Sequence, residues 1–144
     1  MATIERSITI KVPPEKVFDY FVDPAHLPEF WPSMVEVKDI KPLPDGGYRY
    51  HWLYTMAGMK FEGESETVEF VENRKLATKT IGGIESRFDW EFKPESEFTK
   101  LTVKADFKLP ETLLGKLKEP FLVKLNEHEA ETVLANLKDR MEIV

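Results

Sequence analysis

Ile4, Arg6, Ile8, Ile10 and Val12 alternate against Thr3, Glu5, Ser7, Thr9 and Lys11 at the start of the chain. A period of two predicts a strand, and Pro13-Pro14 ends it. In PEKVFDYFVD, Val17, Phe18 and Phe21 recur at helical spacing and predict a short helix. Asp23-Pro24 has the form of an N-cap followed by proline at the first helical position. It opens a second short helix with Leu27, Phe30 and Trp31 on its apolar side, and Pro32 disfavours helix at the residue before it.

From residue 34 the period returns to two. Strands are predicted over 34–41, 47–57, 59–71, 74–80, 84–93 and 98–109. Turn chemistry separates them: Asp45-Gly46-Gly47, Gly58, Glu72-Asn73, Gly82-Gly83 and the polar stretch 94–97. Connections this short imply antiparallel hairpins. In 59–71, Phe61, Gly63 and Ser65 oppose Glu62, Glu64 and Glu66. Val68 and Phe70 then fall on the glutamate side, so a bulge is expected to change the phase. Pro110 closes the last strand, and Leu113, Leu114 and Leu117 suggest a brief helical turn.

Pro120 suits the first turn of a long helix reaching about Glu142. Asn126, Ala130, Val133, Leu137 and Met141 form its apolar stripe, widened by Val123 and Leu134. Phe121 and Leu125 lie on another side, so the start of this helix is expected to be covered more completely. His128 projects away from the stripe.

One strand, two short helices, six successive strands and a long terminal helix is a restrictive order. The sheet must bury one face, and only the last helix is large enough to cover it. Strands of this length accumulate twist and curl. The expected fold is therefore α+β, a seven-stranded curved antiparallel sheet around the C-terminal helix, with the two short helices plugging one end. At 144 residues the chain fits one domain, 1–144.

This order, with PPEKVFDYFVDPAHLPEFWPSMVEV at the front and LKDRME at the end, resembles the START-like (SRPBCC) helix-grip superfamily. Within it the chain is most similar to the polyketide cyclase/dehydrase-like and coenzyme Q-binding-like proteins. LPEFWPSM resembles the proline- and aromatic-bearing second helix these proteins share. The resemblance implies a cavity between sheet and helix for a lipid, quinone, polyketide or other hydrophobic molecule. It implies no particular activity, since members include carriers and cyclases.

The stretch GYRYHWLYTM bears on that cavity. As a strand it turns Tyr48, Tyr50, Trp52, Tyr54 and Met56 to one side. The same inner face is expected to carry Phe61, Phe88, Trp90, Phe92, Val103, Ala105 and Phe107. A solid core is one reading. Against it, buried tyrosine hydroxyls need partners, and the small residues Gly63, Ser65, Ala105 and Ala130 leave volume among large rings. The second reading is a pocket. Its expected ligand-binding residues are Trp31, Tyr50, Trp52, Tyr54, Phe61, Phe88, Trp90, Phe107, Asn126, Ala130 and Val133. Asn126 is either a hydrated amide near the rim or a polar anchor for a ligand.

Charge and candidate chemistry narrow the function. A net charge of −6, with C-terminal lysines interleaved with Glu127, Glu129 and Glu131, argues against nucleic acid as a partner. The absence of cysteine excludes thiolate metal sites and fits a reducing cytoplasm. MATIERSITI has no basic or continuous apolar segment, so no signal peptide is expected, and no apolar run reaches bilayer-spanning length. His26, His51 and His128 lack metal-ligand spacing, and no metal or cofactor is expected. Tyr50 or Tyr54 could serve as a general acid, but neither has a recognisable base, and no catalytic constellation is identifiable. Glu62, Glu64 and Glu66 form a solvated row, with basic or neutral neighbours expected across the strands. The first functional expectation is binding or carriage of a hydrophobic or aromatic small molecule. The alternative is a polyketide cyclase or dehydratase using the same cavity.

Overall fold

In the computed structural model, which describes residues 2–143, the opening alternation becomes β1 (Ala2–Ile10). Pro13 caps α1 (Pro14–Phe21), with Pro14 at its first position. The Asp23 carboxylate accepts from the Ala25 N–H at 3.0 Å and opens a 3-10 turn, Pro24–His26. That turn leads into α2 (Leu27–Phe30), and Trp31 turns extended before Pro32. Six strands follow: β2 (Met34–Pro42), β3 (Tyr48–Met56), β4 (Met59–Val71), β5 (Lys75–Gly82), β6 (Ser86–Glu95) and β7 (Phe98–Phe107). Then come α3 (Glu111–Leu114) and α4 (Glu119–Glu142).

The seven strands form one curved antiparallel sheet, ordered β1-β7-β6-β5-β4-β3-β2. The long terminal helix lies across its inner face, so the architecture is the expected α+β helix-grip fold. Arg6, an inner-face residue of β1, reaches α4 by ion pairs to Glu127 at 2.7 Å and Glu131 at 3.6 Å. Further along, Lys138 donates to the Thr9 carbonyl at 2.8 Å. Asn136 donates to the Phe30 carbonyl at 3.1 Å, and Arg140 to Glu29 at 3.1 Å, tying the end of α4 to the short helices.

Those helices close one end of the sheet. Phe18 and Phe21 pack edge-on to Phe92, at ring separations of 5.2 and 5.5 Å. Phe92 is therefore on the inner face but consumed by the plug. The expected bulge lies between Thr67 and Glu69, which pair with the consecutive residues Thr78 and Ala77. Val68 is left exposed, and Phe70 swings inward to meet Phe18 at 5.4 Å. The glutamate row has the partners charge requires. Arg49 pairs with Glu64 at 3.0 Å, and His51 lies 3.7 Å from Glu62.

Three expectations are corrected. The polar stretch from Pro94 does not break β6, which continues to Glu95. The Phe92 N–H donates towards the β5 side, to the Arg74 carbonyl, and β5 pairs no further than Glu91. Two residues on, the missing N–H of Pro94 faces the same side, where there is no ladder to break. Secondly, the start of α4 is not covered: Phe121 is 54% and Leu125 36% exposed. After α3 the chain enters α4 without folding back over it. Leu122 is the residue that turns inward, into a cluster with Leu109 and Leu113.

The third concerns Gly63, which leaves no volume. A Cβ there would stand 2.5 Å from Trp52 Cζ2 and 2.1 Å from the Gly82 carbonyl oxygen. The tryptophan ring already occupies that space.

Candidate functional site

Between the inner face of the sheet and α4 lies a cavity of about 110 Å³. An apolar cavity of about 150 Å³ takes benzene, so this is space on the scale of one ring. β3 contributes Tyr50, Trp52, Tyr54 and Met56 to its wall. Phe88 and Trp90 come from β6, and Val103, Ala105 and Phe107 from β7. Trp31 enters from the end of α2, and α4 supplies Asn126, Glu129, Ala130 and Val133. Ten of the eleven residues expected to bind ligand thus share one cavity wall: Trp31, Tyr50, Trp52, Tyr54, Phe88, Trp90, Phe107, Asn126, Ala130 and Val133.

Phe61 stands outside the lining. Trp52 leans across β4, its Nε1–H donating to Ser65 Oγ at 2.9 Å, with its ring over Gly63. β4 consequently shows the cavity only Ser65 and Thr67. Phe61, paired with Tyr54 towards the hairpin turn, is half-buried beside the core.

Edge-on aromatic contacts link the residues of the wall. Trp31 meets Phe88 at 5.3 Å, Tyr54 at 6.3 Å and Trp90 at 6.1 Å, all near perpendicular. Asn126 lies on the wall with its amide nitrogen already committed, donating to the Leu122 carbonyl at 2.8 Å and facing Met56 Sδ at 3.8 Å.

Burial pushes the Tyr50 phenol up to about 12, with the hydroxyls of Ser65 and Thr78 acting in the opposite direction. Tyr54 is raised further, by burial first and by the Glu129 charge second, with the Trp31 indole and the Ser33 hydroxyl acting in the opposite direction. Both side chains are neutral phenols at ordinary pH. Glu129 is the charged residue of the cavity lining, and the strand and helix periods did not single it out. It lies three residues after Asn126 and four before Val133, so the helical spacing of those two contains the signal.

Two buried side-chain polar atoms among the described residues have no hydrogen-bond partner: Trp31 Nε1 and Glu129 Oε1. Both residues line this cavity. The histidines lie elsewhere. His26 stacks on Tyr20 at 4.3 Å, His51 faces Glu62 on the outer face, and His128 is exposed. Among the described residues no group of three His, Asp or Glu side chains could hold a metal, and no helix is long and apolar enough to cross a membrane.

Known proteins place this architecture. The family model described as polyketide cyclase/dehydrase and lipid transport matches residues 1–142. No curated protein is significantly similar in sequence. Among solved structures, a START superfamily protein from Mycobacterium smegmatis is 17% identical with a TM-score of 0.80, each chain covered over 97%. The Zhui aromatase/cyclase from Streptomyces sp. R1128 is 17% identical with a TM-score of 0.79, covering 98% of this chain and 93% of its own. The protein TTHA0849 from Thermus thermophilus is 23% identical, with a TM-score of 0.76 and 97% of each chain covered. At these identities the structural likeness speaks for the fold alone. The match along nearly the whole sequence goes further: the chain belongs to the polyketide cyclase/dehydrase and lipid-transport family.

Proposed function

We propose that the protein binds and carries a hydrophobic, ring-bearing small molecule in the cavity between the sheet and α4. The observation that carries this reading is the cavity itself, walled by Trp31, Tyr54, Phe88 and Trp90 rather than filled by them. Covering roughly 200 Å² of apolar ligand surface at about 25 cal/mol/Å² yields about 5 kcal/mol gross. Association costs reduce this, so apolar contact alone supports weak binding and polar partners must supply the rest.

A cyclase or dehydratase reaction in the same cavity is the second reading, favoured by one feature: Glu129 and Tyr54 line the same cavity, and the carboxylate charge acts on the phenol. A carboxylate near a neutral phenol is the elementary arrangement for moving a proton. Tyr54 itself is a weak acid, its phenol raised by burial, so the chemistry would rest on Glu129 as base. The wall would add catalysis by restricting a flexible chain to one folded shape.

Native mass spectrometry of detergent-free protein, set against its denatured mass, tests the carrier reading. A retained, extractable aromatic compound is the expected result. Turnover of a polyketide analogue, abolished by Glu129→Gln, would move the assignment to the enzyme. Neither retained mass nor any aromatic ligand shifting tryptophan fluorescence would overturn both.

A further inference from the structure

Where the chain enters α4 it carries apolar side chains both inward and outward. Leu113 and Leu122 pack into the cluster with Met56, Ala105 and Phe107, three of the residues that line the cavity. Leu114, Phe121 and Leu125 are left 42%, 54% and 36% exposed. Phe121 and Leu125, four residues apart on α4, share one helix face. A surface helix needs one apolar face for the core, so folding does not require a second, exposed one. This end of the molecule lies away from the plug, which the Glu29–Arg140 pair ties to the far end of α4.

Lysines interleave with the exposed apolar residues. Residues 108–125 hold Lys108, Lys116, Lys118 and Lys124 against Glu111 and Glu119, a local positive surplus on a chain whose net charge is −6. All four lysines are exposed. Among the described residues the lysines in ion pairs are Lys38, Lys75 and Lys138, none of them in this stretch.

We infer that α3, the connection after it and the first turns of α4 dock on the surface of an anionic lipid bilayer. Leu114, Phe121 and Leu125 enter the boundary between headgroups and acyl chains, and Lys116, Lys118 and Lys124 meet the phosphates. Phe and Leu beside lysines are the composition of helices that lie in a bilayer interface. Lysine stems can rest on apolar surroundings while the charge stays at the headgroups. A protein partner fits less well. Protein interfaces are poor in Lys, and their strongest contacts come from Tyr, Trp and Arg; residues 108–125 hold four lysines and none of those three. A second copy seated two-fold on the same face would set lysine against lysine. The contact is peripheral, since no described helix is long and apolar enough to cross a membrane. It involves the outer surface and holds whatever the cavity contains.

Co-sedimentation of the full chain with vesicles tests this, comparing phosphatidylcholine alone with an equal mixture of phosphatidylcholine and phosphatidylglycerol. Binding to the mixed vesicles and not to the neutral ones is expected. Lys118→Glu with Lys124→Glu should weaken it by about fivefold or more per lysine. Phe121→Ser should weaken it about tenfold through lost apolar contact. Lys93→Glu with Lys100→Glu makes the same charge change on a cross-strand pair of β6 and β7 at the plug end, and should leave binding nearly unchanged. Phe121→Trp adds an exposed indole to three buried ones, and its emission should shift to the blue on mixed vesicles. No binding to the mixed vesicles would overturn the bilayer as partner and leave the face to a protein. Equal losses in the two lysine pairs, or an unshifted Phe121→Trp spectrum in the bound protein, would overturn docking through this face. So would a dimer in sedimentation velocity that Phe121→Ser dissociates, which would assign the face to a second copy.

Discussion

Trp52 stands over Gly63, its partner across the β3–β4 ladder, closely enough that the two positions are complementary in shape. A methyl group on Gly63 would meet the indole at 2.5 Å and the Gly82 carbonyl at 2.1 Å, and the carbonyl is backbone that cannot swing away. Gly63→Ala is therefore expected to destabilise the fold by about 2–3 kcal/mol, the upper part of the overpacking range. Thermal unfolding would show a drop of roughly 5 °C or more. Displacing Trp52 would also break its bond to Ser65, so a red shift of tryptophan emission should accompany the loss. An unchanged melting temperature would refute the close approach.

High pH should unfold the protein through its buried tyrosines. Tyr50 has a folded pKa of about 12 against an ordinary value of 10.0. Between those values the unfolded chain has released the proton and the folded one retains it, so stability falls as pH rises. This contribution is fully present below pH 10 and lost by about pH 12, amounting to about 2–3 kcal/mol at 1.36 kcal/mol per unit. Tyr54 acts in the same direction. Urea denaturation at pH 8, 10 and 11.5 measures the slope. Tyr50→Phe should flatten it.

The start of α4 separates two adjacent residues sharply. Leu122 is fully buried and Phe121 is 54% exposed. Leu122→Ala should cost about 2–5 kcal/mol through lost burial and the cavity left behind. Phe121→Ser should stay within about 0.5 kcal/mol, as exposed positions usually do. Urea midpoints of the two variants check this, and similar losses would mean that Phe121 is covered.

Arg6 links the edge strand to α4 through Glu127 and Glu131, with about a third of its side chain exposed. Solvent screens such a pair, so Arg6→Ala should cost only about 0.5–1 kcal/mol. Much of that difference should vanish in 1 M salt, where the Debye length is about 3 Å. A salt-independent loss would point to packing of the arginine stem instead.

Elements with a strict period were legible in the chain. The strand 59–71 is realised as Met59–Val71, and its bulge lies where Val68 and Phe70 fall out of phase. Asp23-Pro24, Asp45-Gly46-Gly47 and Glu72-Asn73 end or begin elements where turn chemistry places them, Asn73 at φ 62°. The inner face of β3 could be read because side chains in a strand alternate without drift. Pro94 misled because a proline's cost in a strand depends on whether a neighbour awaits its N–H, and that neighbour belongs to a distant segment.

By itself, then, the sequence determined the order of elements, the inner and outer residues of each strand, and the aromatic character of the face beneath α4. These follow from local geometry and from the separation of apolar and polar positions. Only the tertiary structure decided that Trp52 fills the space over Gly63, that Phe61 stands outside the cavity, and that Phe121 and Leu125 face solvent. It also decided that Glu129, set between Glu127 and Glu131 in the chain, lines the cavity. The helical period narrows which residues share a face, but the tilt and rotation of α4 across the curved sheet select the ones that reach the interior.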